Sequence, residues 1–304
     1  MIVTVTPNPA VDLTITTPMF DPGTTQVVPP ARRRAGGKGL NVARVLAQTG
    51  HATRAIAPVG KEEAGWFAAD LGDGLETDFL SCEGATRCTY AIVESETGRT
   101  SMITETGPAR TRDEWNGLVD LVERNTSEAR TLVMSGSLPP SHPEDLVSDV
   151  VGLGRAAGVR VIADLSKRAL LSAARAGADV LKPNLDELRT ATGVADPIEG
   201  ARTLQREGAR LVFVSLGEEG MLAVPADPSE AVLHARLGRV LRGNPTGAGD
   251  AAVAAISIGA NDEAPAEALR RAVAWSAAAV LTPLAGTLHQ SHPDLLHEVV
   301  VSQT

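Results

Sequence analysis

From residue 131 onward, short apolar, β-branched runs alternate with helix-patterned segments, and this alternation limits the possible fold more than any other feature. Thr131–Ser135 (TLVMS), Val159–Ala163 (VRVIA), Asp179–Lys182 and Leu211–Leu216 (LVFVSL) read as strands. Pro143–Ala157, Arg168–Ala176 and Asp186–Thr192 carry helical spacing between them. Strands apolar on both faces need cover on both, and intervening helices supply it. The pattern therefore predicts an α/β fold with a doubly wound, mainly parallel sheet flanked by helices. Met1–Thr6 is a strand expected to join that sheet, and the Ala-rich Ala264–Leu281 is expected to be a core helix.

The first hundred residues differ. Val11–Thr16, Thr89–Glu94 and Thr100–Thr104 look strand-like, the last two turning about Glu96-Thr97-Gly98-Arg99 as a hairpin would. Lys38–Gln48 and Glu62–Leu71 look helical. These features predict a small antiparallel sheet built from discontinuous segments, about 11–34 and 86–106, beside a main body that uses the rest of the chain. A small sheet over an α/β crevice suits a lid.

The 304 residues are 43% hydrophobic, enough for a sizeable core, and 28 basic against 37 acidic residues give a net charge of −9. A negative field of that size disfavours nucleic acid and anionic lipid as main partners, but a local pocket can still hold a phosphorylated metabolite. Cys82 and Cys88 are too few for a disulfide framework and are expected to be reduced thiols. With no secretory pattern at the first residues and no apolar run long enough to span a bilayer, the expected location is the cytoplasm.

Four segments can carry chemistry. Gly247-Ala248-Gly249-Asp250 opens a small-residue helix. Its glycines expose amides where the helix dipole favours an anion, and Asp250 can take a proton from an attacking hydroxyl. An Asp near a helix start is equally an ordinary cap. Lys182-Pro183-Asn184 with Glu187 lies at the end of a strand; Asn184 and Glu187 share a helix face and can orient Mg²⁺ and its waters, or form a capping box and nothing more. Ser215, Gly217 and Gly220 let backbone approach a ligand, or simply turn a hairpin. Gly36-Gly37-Lys38-Gly39-Leu40-Asn41 cradles an anion or a polyol at a helix start, although it lacks the Walker A spacing. Asp12, just after the first strand, can accept hydrogen bonds from sugar hydroxyls. His289, His292 and His297 lack zinc-type spacing and are expected at the surface.

Three of these segments end strands in one half of the chain, and in a parallel sheet such ends converge on a single crevice. Amides for an anion, a base, a metal partner and a loop for nucleotide approach together fit phosphoryl transfer from a nucleoside triphosphate.

The chain also resembles the PfkB (ribokinase-type) carbohydrate kinases, in particular the branch of 1-phosphofructokinase and tagatose-6-phosphate kinase. The resemblance runs through Thr6-Pro7-Asn8-Pro9-Ala10-Val11-Asp12, Gly36 to Arg44, Thr86-Arg87, Ser135 to Pro140, Lys182-Pro183-Asn184, Ser215-Leu216-Gly217 and Gly247 to Asp250, in order. It implies a ribokinase-like fold with a small β-sheet lid and Asp250 as base, with the amides of Gly247, Ala248 and Gly249 as the anion hole. It also implies ATP at Lys182, Asn184, Ser215, Gly217 and Gly220, and Mg²⁺ near Asn184 and Glu187 through water. Asp12, Gly37 and Asn41 would hold the sugar, and Lys38, Arg87 and Ser137 its phosphate, because a neutral sugar needs no cationic clamp. The implied reaction is ATP-dependent phosphorylation of D-fructose 1-phosphate to fructose 1,6-bisphosphate. The alternatives are tagatose 6-phosphate or fructose 6-phosphate as acceptor, then an unphosphorylated sugar, then a non-catalytic sugar-phosphate sensor. A homodimer through the lid sheet is also implied.

Overall fold

The computed structural model describes residues 1–259 and 263–304. Its strands in chain order are β1 (Ile2–Val5), β2 (Ala10–Thr17), β3 (Arg32–Gly36), β4 (Thr53–Gly60), β5 (Glu76–Cys82), β6 (Cys88–Glu94), β7 (Thr100–Thr104), β8 (Thr131–Ser135), β9 (Arg160–Asp164), β10 (Val180–Leu181), β11 (Leu211–Ser215), β12 (Met221–Pro225), β13 (Leu233–Leu237) and β14 (Val299–Gln303). The helices are α1 (Lys38–Gln48), α2 (Ala64–Leu71), α3 (Arg112–Thr126), α4 (Leu146–Ala156), α5 (Lys167–Arg175), α6 (Leu185–Thr192), α7 (Pro197–Glu207), α8 (Ala248–Ser257), α9 (Pro265–Val280) and α10 (His292–Glu298).

The main sheet has ten strands in the order β14-β13-β12-β11-β10-β9-β8-β1-β4-β5. From β11 to β5 every pairing is parallel, while β12, β13 and β14 extend the edge antiparallel. Period-two alternation divides each central strand between two cores. Val3, Leu132, Val161 and Val212 face the core under α3, α4, α5 and α7; Ile2, Val133, Ile162 and Phe213 face the core under α8 and α9. Helix α8 is buried from Asp250 to its end at Ser257, which its run of alanines permits by letting neighbouring backbones approach closely.

The small sheet has the order β3-β2-β6-β7. It departs from the antiparallel sheet expected above: β2 and β6 at its centre run parallel, in register from Val11↔Cys88 to Thr17↔Glu94, and β3 adds a strand that extends to Gly36. The parallel pair is joined by a crossover through β3, α1, β4, α2 and β5 rather than by a turn, as a parallel pairing requires. One face packs Val11, Leu13, Ala35 and Cys88 against α1 and Phe67 of α2. The opposite face carries Asp12, Thr14, Thr89, Ala91 and Met102 toward a cleft. Among the described residues no helix is long and apolar enough to cross a membrane.

Candidate active site

Strand ends, two helix starts and the small sheet enclose a cleft of about 1280 Å³. Every site residue expected from the sequence lines it except Ser137.

Helix α8 begins at Gly247, whose φ of 86° is left-handed and suits glycine, and whose missing side chain lets Ala285 pack within reach. The amide of Ala248 donates to Pro245 O at 3.2 Å, which takes it out of the expected anion hole. The amides of Gly247, Gly249 and Asp250 have no protein acceptor among the described residues and remain for an anion. Asp250 stands in the first turn, 5% exposed, and its Oδ2 accepts from Asn41 Nδ2 at 2.8 Å. Burial pushes its carboxyl up to about 6; Asp164 adds to the rise while Lys38, Asn41 and Lys182 oppose it. Asn41, expected on the sugar, is thus first of all the group that orients Asp250.

Beside it lies a chain of alternating charge that includes Asp164, a residue the sequence motifs do not mark. Lys38 Nζ is 3.1 Å from Glu187 Oε1 and 3.4 Å from Asp164 Oδ2, and Lys182 Nζ is 3.3 Å from Asp164 Oδ1. Asp164 is fully buried and also accepts from Ser135 Oγ at 2.8 Å. Burial alone would raise its carboxyl, but Lys182 and Lys38 outweigh it and hold the group below the usual range. Burial would likewise lower the Lys38 ammonium, but Asp164, Glu187 and Asp250 push it up. Lys38 is therefore charged at neutral pH. Its ammonium is directed at these carboxylates rather than toward Arg87, which differs from the clamp expected from the sequence.

Asn184 and Glu187 form a reciprocal capping box on α6: Glu187 N donates to Asn184 Oδ1 at 2.8 Å and Asn184 N to Glu187 Oε2 at 2.9 Å. The cap and a ligand role coexist, since Glu187 Oε1 is left to face Lys38 in the cleft. Ser215 Oγ is buried, lines the cleft and has no protein partner, an orphaned group of the kind a ligand satisfies. The far end is apolar, formed by Leu237, Val240, Leu241, Val273, Ala277 and Val280. No sequence motif marks this end.

On the small-sheet side, Asp12 leans over Gly36 so closely that a Cβ there would collide with its carboxylate, which only glycine avoids. Burial pushes Asp12 up to about 6, with Arg87 opposing and Asp250 adding. Arg87 donates through Nε and Nη2 to Asn8 O at 3.3 and 3.1 Å, and through Nη1 to Glu105 O at 2.9 Å. Ser137, exposed and outside the cleft lining, accepts from Asn8 Nδ2 at 3.2 Å. Buried Asn8 is therefore the bridge that brings Arg87 and Ser137 together, a role its place in the sequence does not reveal.

The donor set fits a hard divalent cation. Asp164 and Glu187 aim carboxylate oxygens at one point, here neutralised by an ammonium, and Mg²⁺ is ordinarily held by one or two carboxylates plus substrate phosphates. No cluster of three or more His, Cys, Asp or Glu able to cage a metal exists among the described residues. Of the histidines, His297 is exposed and His292 packs edge-on against Trp275 with ring centroids 5.9 Å apart.

Comparison with known proteins agrees with this geometry. Residues 6–291 match the model of the pfkB family of carbohydrate kinases. A 1-phosphofructokinase from Xanthomonas campestris pv. campestris is 35% identical over 272 residues, covering 86% of this chain and 85% of that protein. A mutant of phosphofructokinase-2 from Escherichia coli superposes with a TM-score of 0.89 at 29% identity, over 97% of this chain and 98% of that one. The same Escherichia coli enzyme in complex with fructose-6-phosphate gives 0.86 at 28% identity, with 97% and 98% covered. An α/β body with a small sheet over a crevice, a buried Asp at a glycine-rich helix start and a match across nearly the whole chain lead to one conclusion: the protein belongs to the pfkB family of carbohydrate kinases.

Proposed function

We propose that the chain transfers the γ-phosphoryl group of ATP to a ketohexose phosphate, and that D-fructose 1-phosphate, yielding fructose 1,6-bisphosphate, is its acceptor. The observation that carries this is a single cleft with a buried carboxylate beside free amides in its middle and a fixed guanidinium, Arg87, at its small-sheet end.

Asp250, ionised above about pH 6, takes the proton of the attacking hydroxyl. The free amides of Gly247, Gly249 and Asp250 hold the charge that gathers on the transferring group. Lys182, fixed by Asp164, and Lys38 supply further positive charge; Ser215, Gly217 and Gly220 border the nucleotide. Asp12, Gly37 and Asn41 receive the sugar, and Arg87 and Ser137, joined through Asn8, its phosphate. Mg²⁺ would be held by Glu187 and Asp164, with Asn184 through water, and supplies neutralisation of the phosphate charge. The small sheet serves as lid, its threonines and Met102 closing the acceptor side.

A second acceptor orientation, phosphate at carbon 6 and transfer to the 1-hydroxyl, is favoured by the structural relative solved with fructose-6-phosphate. The test is a steady-state comparison of fructose 1-phosphate, tagatose 6-phosphate, fructose 6-phosphate and free fructose. We expect kcat/KM for fructose 1-phosphate to exceed that for free fructose by about 100-fold or more, because without the phosphate the Arg87 N–H groups that Asn8 and Glu105 leave free have no anion to receive their charge-assisted hydrogen bonds. Free fructose as the best acceptor would remove the Arg87 clamp. Binding of a phosphosugar without turnover would make the protein a sensor.

Homodimerisation through the small sheet belongs to the same proposal. Strand β7 is exposed along its length, with Met102 50% and Ile103 56% accessible, and an open apolar edge strand is one that a second sheet would cover. A monomeric sedimentation coefficient would refute it.

A further inference from the structure

We infer that Lys38 is the built-in counter-ion of the divalent-cation site: in the nucleotide-free cleft its ammonium bridges the Glu187 and Asp164 carboxylates, and a metal ion must displace it to bind. The inference rests on the reading that a metal-bound nucleotide occupies this end of the cleft, and it concerns how that site is kept when empty.

Both carboxylates have other partners besides Lys38. Glu187 Oε2 accepts the Asn184 amide at 2.9 Å; Asp164 Oδ1 faces buried Lys182 at 3.3 Å, and Asp164 Oδ2 accepts from Ser135 Oγ at 2.8 Å. Glu187 Oε1 and, alongside its Ser135 bond, Asp164 Oδ2 both turn to Lys38 Nζ, at 3.1 and 3.4 Å. Two carboxylates converging on one point, one of them fully buried, repel each other unless a cation lies between them. Lys38 supplies that cation from a different part of the chain, the first residue of α1.

The two lysines of this cluster differ in their freedom. The Lys182 side chain is 3% exposed and enclosed, whereas that of Lys38 is 38% exposed on a flexible four-carbon stem. Lys182 must stay; Lys38 has open cleft to move into. An ammonium and a divalent ion cannot share Glu187 Oε1, and their mutual repulsion at this distance is large. Metal binding therefore releases Lys38 toward the free amides at α8 and the phosphoryl group they hold. The competition is reciprocal: any ligand that draws Lys38 away leaves the carboxylates readier for metal. A lysine that served only the sugar phosphate would have no such effect on a metal.

The test needs neither nucleotide nor turnover. Mn²⁺ is titrated into the nucleotide-free protein and free ion is followed by electron paramagnetic resonance. Lys38→Met is expected to bind Mn²⁺ about tenfold or more tightly than wild type, because one opposing charge is removed. Lys38→Arg, which keeps the charge, is expected to match wild type. Glu187→Gln added to Lys38→Met should reverse the gain. Equal or weaker Mn²⁺ binding by folded Lys38→Met would overturn the inference, as would an Arg variant that binds as tightly as the Met variant. Should Lys38→Met not fold, Lys38→Gln carries the same comparison. In wild type, Mg²⁺ should shift the Lys38 ε-carbon resonance, and an unmoved resonance at metal saturation would also overturn it. The acceptor comparison above stands or falls on turnover alone, so the two failures are distinguishable.

Discussion

Asp250→Asn is expected to lower kcat about 1000-fold, within the range that a positioned general base contributes, while leaving the KM for ATP within a few-fold of wild type. The substitution keeps shape, and the new carboxamide oxygen still accepts from Asn41 Nδ2, so the α8 turn and its free amides persist. What disappears is the capacity to take a proton. The same change should raise the melting temperature. Asp250 has a folded-state pKa of about 6 against 3.8 for an unperturbed carboxyl. An acid whose pKa rises on folding binds its proton more tightly in the folded state. Above pH 6 it is ionised in both states and the folded state bears the cost, which the neutral Asn removes. A variant with near-wild-type kcat would eliminate Asp250 as base, whatever its stability.

Asp164→Ala is expected to destabilise the fold by about 3–5 kcal/mol, the cost of leaving a buried charge without its partner. Lys182, 2% exposed, would keep its ammonium with no carboxylate at hand, whereas Lys38 would retain Glu187. Adding Lys182→Met to Asp164→Ala should recover most of the deficit, since removing both ions leaves only a packing defect. Urea denaturation of the two single variants and the double variant gives the coupling directly. Independent, additive effects would mean that Asp164 supports the fold by some route other than this ion pair.

Within the parallel part of the main sheet, β1, β8, β9, β10 and β11 are legible in the sequence because they are buried on both faces, so local apolar runs report the tertiary environment. The small sheet is legible as strands but not as topology. β2 and β6 pair parallel through a crossover of some seventy residues, and nothing in VDLTIT or TYAIVE distinguishes that from a meander. β4, whose TRAIAPVG lies within the main sheet, carries a proline and no clean period, so its sequence does not announce a strand. At the site, Gly247 to Asp250 is recognisable because the chemistry needs those residues adjacent. Asp164 is not: the apolar run ends at Ala163, and only folding brings the next carboxylate to Lys182 and Lys38. Asn8 is hidden for the same reason, being functional through its contacts with Arg87 and Ser137 rather than through a pattern. The engaged Ala248 amide shows a further limit, since a glycine-rich loop announces exposed amides but not which of them a local turn consumes.

Delivery of the phosphoryl group to a sugar hydroxyl and its loss to water leave different phosphorus products. The ³¹P spectrum of wild-type protein with Mg-ATP and fructose 1-phosphate separates the two. The expected result is one new phosphate monoester at carbon 6 for each ADP formed, with no accumulation of inorganic phosphate. ADP appearing with inorganic phosphate alone, or ATP left intact beside bound sugar phosphate, would contradict it.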